Sequence, residues 1–220
     1  MDIELLHPHT QTIAQIRLEP GESVVAESGA MLGMTEGLSI ETISGGAGSA
    51  LKRLFGGESF FRNRFVASRP AELLLAPSLR GDLGVLDVGT TQWIVQRGAY
   101  VASAPSVDVA TRPSIRGLFS GMGVFLLETK GVGPMLVSSF GVLEPIDLDG
   151  ELIVDTGHLV AWDARLEHTV TKASRGWIGS FMSGEGFVVR FRGRGRIYTQ
   201  TRNPSEYGHR VGRMLPPRQS

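Results

Sequence analysis

The chain has 220 residues with 22 basic and 22 acidic side chains, so its formal net charge is zero, and 41% of its residues are apolar. That balance excludes a disordered chain, which would be poorer in apolar residues and carry a net charge, and it removes any global electrostatic case for nucleic acid or a membrane. The lack of cysteine excludes disulfide scaffolds, thiolate metal sites and cysteine nucleophiles.

Taken in chain order, the elements read as strands. Short apolar or alternating runs occupy 11–18, 23–26, 72–76, 92–96, 124–127, 135–138, 151–154, 187–191 and 197–201. Between them stand turn signals: Pro20-Gly21, Arg80-Gly81-Asp82, Gly131-Val132-Gly133, Asp149-Gly150 and Gly193-Arg194-Gly195. Only Ser49 to Phe55 has a helical pattern, and it is too short to stand alone. No run approaches the roughly 18 apolar residues of a membrane-spanning helix. The acidic start, with Asp2 and Glu4, is unlike a signal peptide, so a soluble, cytoplasmic protein is expected.

The 29 glycines are distributed with a pattern. Glu27-Ser28-Gly29-Ala30, Gln96-Arg97-Gly98-Ala99 and Asp155-Thr156-Gly157-His158 each follow an apolar strand and precede another. A second glycine signal follows each of them, at Gly57, Gly121 and Gly184. One β module therefore occurs three times. Since so short a unit cannot bury both faces of its own sheet, the copies should share a core as a barrel, sandwich or prism. The expected architecture is one all-β domain of antiparallel modules over 1–203. Residues 204–220 lack strand alternation and read as a tail, flexible or docked through Tyr207, Val211, Met214 and Leu215.

These motifs resemble the altered-inheritance-of-mitochondria family of mitochondrial biogenesis proteins. The residues that carry the likeness are Glu27 to Met31, Gly56 to Phe65, Leu75-Ala76-Pro77 with Gly81-Asp82, Val95 to Tyr100, Val154 to Ala161, Ser183 to Gly186 and Ile197 to Arg202. The resemblance implies a fold similar to that of the tryptophan RNA-binding attenuation protein, repeated three times in the chain. It also implies assembly as homotrimers or hexamers. It brings no catalytic, cofactor-binding or metal-binding residues, and a fold name does not license RNA binding.

The candidate chemistry is sparse. His7 and His9 make half a metal site. His158 stands where the other modules have Ala30 and Ala99, and reads as a satisfied strand-end histidine because no Ser-His-Asp spacing frames it. Gly45-Gly46-Ala47-Gly48 precedes a helical pattern but lacks the Gly-Lys-Ser/Thr of a phosphate loop, which leaves a flexible connector. Glu58, Glu185, Asp82 and Asp87 stand beside turns, where turn chemistry accounts for them. No enzyme or cofactor is expected.

Charge placement is more informative than its total. Residues 1–50 carry seven acidic groups and one basic (Arg17), whereas 190–218 carry eight arginines and one acidic group (Glu206). Arg190, Arg192, Arg194 and Arg196 fall on one face of a strand and Phe191 on the other. That is the pattern of a solvated hairpin. The same four arginines are the candidates for a subunit contact with the acidic N-terminal region or for polyanion binding, with nucleic acid the least favoured partner. Leu51, Leu54 and Phe55 beside Lys52 and Arg53 suit a weak membrane-surface contact. The expected protein is a non-enzymatic β scaffold with an unidentified protein partner, and the alternative is a ligand or polyanion binder acting through the arginine hairpin.

Overall fold

The computed structural model describes residues 1–9, 11–43, 62–111, 126–172 and 187–216. Among these, the strands are β1 (Asp2–Leu6), β2 (Ile13–Leu18), β3 (Ser23–Glu27), β4 (Met31–Met34), β5 (Leu38–Ile43), β6 (Arg62–Ala67), β7 (Ala71–Leu75), β8 (Leu83–Val88), β9 (Trp93–Gln96), β10 (Tyr100–Ser103), β11 (Val107–Thr111), β12 (Leu126–Gly131), β13 (Gly133–Ser138), β14 (Leu143–Asp155), β15 (Leu159–Asp163), β16 (Glu167–Lys172) and β17 (Phe187–Gln200). One helix, α1 (Pro204–Gly212), follows. The protein is all-β with antiparallel ladders, as its period-2 pattern requires.

Four pairings recur in three consecutive segments. In residues 13–75, β2 pairs β7, β4 pairs β7, β3 pairs β6 and β5 pairs β6. In 83–138, β8 and β10 both pair β13, while β9 and β11 both pair β12. In 143–200, β14 and β15 pair the second half of β17, while β14 and β16 pair its first half. A register shift falls at matching places, between Met31 and Gly33, Tyr100 and Ala102, and Leu159 and Ala161.

Two further ladders join one segment to the next. β3 pairs β10, with Ala26 opposite Ala102 and Val25 opposite Ser103. β9 pairs β15, with Val95 opposite Ala161, Ile94 opposite Trp162 and Trp93 opposite Asp163. The sheets that result run β1-β2-β7-β4, β5-β6-β3-β10-β13-β8 and β11-β12-β9-β15-β17-β14.

The core follows these junctions. Val101, Ala102 and Leu136 join the cluster built on Ile16, Leu18, Phe65, Leu73 and Leu75. Val160 and Ala161 join the cluster of Trp93, Val95, Tyr100, Leu127 and Val137. Ile94 and Leu126 join Trp162, Phe191 and Ile197. The junction strands β3, β9, β10 and β15 bury successive residues on both faces, whereas β2 and β7 alternate, and burial of this apolar area is the main stabilising term.

The structure departs from the sequence expectation in two places. The Asp149-Gly150 and Gly193-Arg194-Gly195 turns are not breaks, because β14 and β17 each run through them as one strand. Gly150 and Gly193 lie opposite each other in the ladder at φ +129° and +121°. Glycine tolerates this left-handed region without a Cβ penalty, so a long ladder continues through it. Residues 204–212 form α1, which the absence of strand pattern did not specify. Asn203 caps it by accepting from the amides of Ser205 and Glu206, and Pro204 occupies the first turn. Tyr207 docks the helix edge-on to Phe140, with ring centroids 5.2 Å apart.

Several expectations lie outside the described residues. They are the connector at Gly45 to Gly48, the helical pattern from Ser49 to Phe55 with Leu51, Leu54 and Phe55, the second glycine signals at Gly57, Gly121 and Gly184, and the acidic residues Glu58 and Glu185.

Candidate functional site

The arginine hairpin has the alternation expected of it. Phe191 and Ile197 are fully buried, while Arg190, Arg192, Arg194 and Arg196 project from the other face of β17. Each faces a carboxylate of β14. Arg196 donates to both Asp147 oxygens at 2.7 and 3.0 Å, and Arg192 donates twice to Glu151 at 2.9 and 2.6 Å. Arg190 lies 3.9 Å from Glu151 and Arg194 lies 4.0 Å from Asp149. The hydrogen bond with Asp147 raises the Arg196 pKa, and the same bond lowers that of Asp147. The acids come from the neighbouring strand, which the register Asp147–Arg196, Asp149–Arg194 and Glu151–Arg192 sets. Cross-strand pairing of opposite charges is the ordinary way to stabilise an exposed ladder.

The acidic N-terminal region satisfies its one arginine locally. Arg17 on β2 donates to Glu4 at 2.8 Å and Asp2 at 3.2 Å on β1, and its Nε lies 3.4 Å from Glu72 on β7. Those carboxylates raise its pKa.

The three glycine turns adjoin one another. A cleft of about 390 Å³ is lined by Glu27 from the first, Gln96 to Ala99 from the second and Gly157 from the third, with Ser138, Phe140 and Gln200 around them. Gln96 reaches into the next turn, donating to the Thr156 carbonyl at 2.7 Å. Glu27 occupies the matching place one turn earlier, and there burial pushes its pKa up while the charge of Arg97 partly offsets this. Gln200 ties the third turn to the preceding linker. Its amide donates to the Gly157 carbonyl at 2.8 Å and its carbonyl accepts from the Phe140 amide at 2.8 Å.

Asp82 organises the opposite ends of the same linkers. It is 5% exposed and accepts from the His9 amide at 2.7 Å, the Thr12 hydroxyl at 3.0 Å and the Leu143 amide at 3.3 Å. One carboxylate thus holds the start of the first segment and the start of the third against the start of the second. A charged acceptor with three donors is a strong local tie. Composition alone marked Asp82 as a turn residue, since its donors lie 61 to 73 positions away.

Three of the histidines have partners within the fold. His158 Nδ1 lies 2.7 Å from the Gln200 carbonyl. His168 Nδ1 lies 3.1 Å from the Leu166 carbonyl, and its ring packs against Trp162 and Phe191. His9 Nδ1 lies 3.6 Å from Asp82, and both His7 and His9 adopt positive φ, at 57° and 63°. Among the described residues no three His, Asp or Glu side chains group as metal ligands, and no helix is long and apolar enough to cross a membrane.

Known proteins share this architecture. A crystal structure of a Streptococcus pyogenes protein superposes with a TM-score of 0.80 at 31% sequence identity, covering 97% of this chain and 99% of that one. An uncharacterised protein from Streptococcus pyogenes serotype M6 is 34% identical over 216 residues, covering 93% of this chain and 87% of its own length. Residues 3–202, from β1 to the residue before the helix cap, match the mitochondrial biogenesis AIM24 family. The chain belongs to that family.

Proposed function

We propose that the protein is a non-enzymatic scaffold whose chain holds three copies of one six-strand module and assembles head to tail into a homotrimer. The observation that carries this reading is an unfinished pattern of ladders. Within the chain, the second strand of one module pairs the third strand of the next, as β3 with β10 and β9 with β15. The remaining partners in that series are the second half of β14 and β4. Among the described residues β4 pairs only β7, and that half of β14 pairs only β17.

The two open edges carry exposed apolar side chains, namely Met31, Leu32 and Met34 on β4 and Ile153 on β14. An unpaired apolar edge of this kind is a template for another chain. Aligning the three modules on Gly29, Gly98 and Gly157 places Val154 opposite Gly33, Ile153 opposite Met34 and Leu152 opposite Thr35 of a second copy. Because three modules do not close on themselves, a ring needs more than one chain. A head-to-tail contact either closes into a ring or continues as a filament, and the family resemblance sets the expected number at three, or six as two stacked rings.

The paired hairpin supports the scaffold over the polyanion alternative, since Arg192 and Arg196 already meet carboxylates at hydrogen-bond distance. Catalysis is likewise disfavoured, because His158, His168 and Asp82 are each held by partners within the fold.

The chain contains no cysteine, so a cross-link can test the register directly. Gly33→Cys combined with Val154→Cys is expected to give, after oxidation, a covalent oligomer resolved by non-reducing electrophoresis, with a mass of three chains by light scattering. A monodisperse monomer at micromolar concentration, with no cross-linked species, would overturn the reading.

A further inference from the structure

Beyond the edges that support assembly, the linkers enclose a second cleft whose chemistry differs from the rest of the surface. It measures about 570 Å³ and lies where the start of the first segment and the two inter-segment linkers meet α1. Its lining includes Gln11, Arg80, Phe140, Arg202 and Tyr207.

Five arginines elsewhere are matched by acids. Arg17, Arg69, Arg165, Arg192 and Arg196 all lie within 3.2 Å of a carboxylate oxygen. The side chains of Arg80 and Arg202 make no hydrogen bond or ion pair among the described residues, although both line one cleft. The carboxylate nearest the linkers, Asp82, is buried and committed to the His9 and Leu143 amides and the Thr12 hydroxyl. Backbone amides are also spent here: Gly141 donates to Arg80, Val142 to the Thr201 hydroxyl and Arg202 to Phe140. The side chains that line the cleft then include two guanidinium groups, the Gln11 amide and the Tyr207 hydroxyl, each of which can donate. Beside them Tyr207, 53% exposed, rests edge-on against the buried Phe140 ring.

From this juxtaposition we infer that the cleft binds a small organic anion, its phosphate or carboxylate head held by Arg80 and Arg202 and its flat apolar body lying on Tyr207. Guanidinium groups match both oxyanions through paired N–H donors. An aromatic face beside them favours a ligand with a planar body over a bare inorganic ion. A cleft of this volume suits a compact molecule, and the chemistry is local, so it stands whether or not the edges assemble.

The test is calorimetric titration of the full chain with phenyl phosphate, benzoate, inorganic phosphate and neutral benzyl alcohol. The two aromatic anions are expected to bind and benzyl alcohol to fail, and the stronger anion identifies the head group. Arg80→Ala and Arg202→Ala should each weaken the anion about tenfold, the loss of one charge-assisted contact. Tyr207→Ala should weaken phenyl phosphate and leave inorganic phosphate unchanged. All three side chains are exposed, and an unaltered thermal midpoint confirms that the variants fold. Benzyl alcohol binding as tightly as the anions, arginine variants that bind like the parent, or no anion binding up to about 10 mM would each overturn the proposal.

Discussion

The closed and open junctions of this fold use the same strand positions for opposite ends. At the closed junction between β9 and β15, Trp162 is fully buried, opposite Ile94, and its ring stacks edge-on with Phe191 at 5.5 Å. At the open edge, the matching position is Met34, 42% exposed, with no strand beyond it among the described residues. The junction between β3 and β10 is intermediate in its chemistry, where Tyr100 is buried and its hydroxyl crosses to the Val25 carbonyl at 3.2 Å. Position in the module thus decides what a residue is for, while its neighbour decides whether it is buried. Trp162 seals the second junction, whereas the matching position at the first is the buried Ser103. The flexible Met34 stays exposed at an edge with no further strand among the described residues.

The sharpest way to break this comparison is a matched pair of substitutions. Trp162→Ala removes a buried ring and should cost about 3–5 kcal/mol, measured by denaturant unfolding. Met34→Ala should cost less than about 1 kcal/mol in the dissociated chain while weakening self-association on sizing columns. Equal costs at the two positions would abolish the distinction.

Next in size is the tie between linkers. A Cβ on Gly81 would collide with the backbone carbonyls of Ser139 and Gly141, across the bridge that Gly81 makes to Gly141. Gly81→Ala should therefore destabilise by more than about 2 kcal/mol, read from the same unfolding curves. Tyr100→Phe tests the first junction more gently. It leaves the Val25 carbonyl and the Ser103 hydroxyl, 3.0 Å away, without the phenol, and should cost about 1 kcal/mol.

The smallest expected effect is a pH dependence at the second junction. Asp163 faces Trp93 across the ladder and is 1% exposed. Burial works to raise its pKa, but the hydrogen bonds from the Arg165 guanidinium and amide together hold it below the usual value of 3.8. Its stabilising contribution is therefore present above about pH 4 and lost as pH falls through the lower folded value. Arg165 is largely exposed, so solvent screens the pair and the effect should be about 1 kcal/mol or less. The stability gap between the parent and Asp163→Asn should shrink from pH 6 to pH 3, and a constant gap would remove Asp163 from the account.

Much of this was legible before any coordinates. Short apolar or alternating runs placed β2, β3, β7, β9 and β13 within two residues at their ends, because strand-length apolar patterning needs only neighbouring sequence. The glycine turns were visible for the same local reason. The interruptions at Gly150 and Gly193 were misread as turns, since a glycine at positive φ is the same signal whether the chain reverses or only bends. The helix α1 had a readable start in Asn203, Pro204 and Glu206, an N-cap, a first-turn proline and an acidic first turn. The apolar residues Tyr207, Val211, Met214 and Leu215 also fall at helical spacing, but in sequence they read only as the docking surface of a tail, and none of the nine helical residues is buried.

The sequence by itself determined an all-β class, the strand faces and the absence of any cysteine chemistry, because composition and period-2 patterning are local properties. Tertiary structure alone decided which arginines are spent and which stand unmatched. Arg192 and Arg80 are the same residue type, and only the register of β14 against β17 puts a carboxylate beside the first. It decided likewise that Asp82 ties three linkers and that β4 and the second half of β14 each keep one edge unpaired among the described residues. Those outcomes depend on contacts between residues tens of positions apart, which no local pattern encodes.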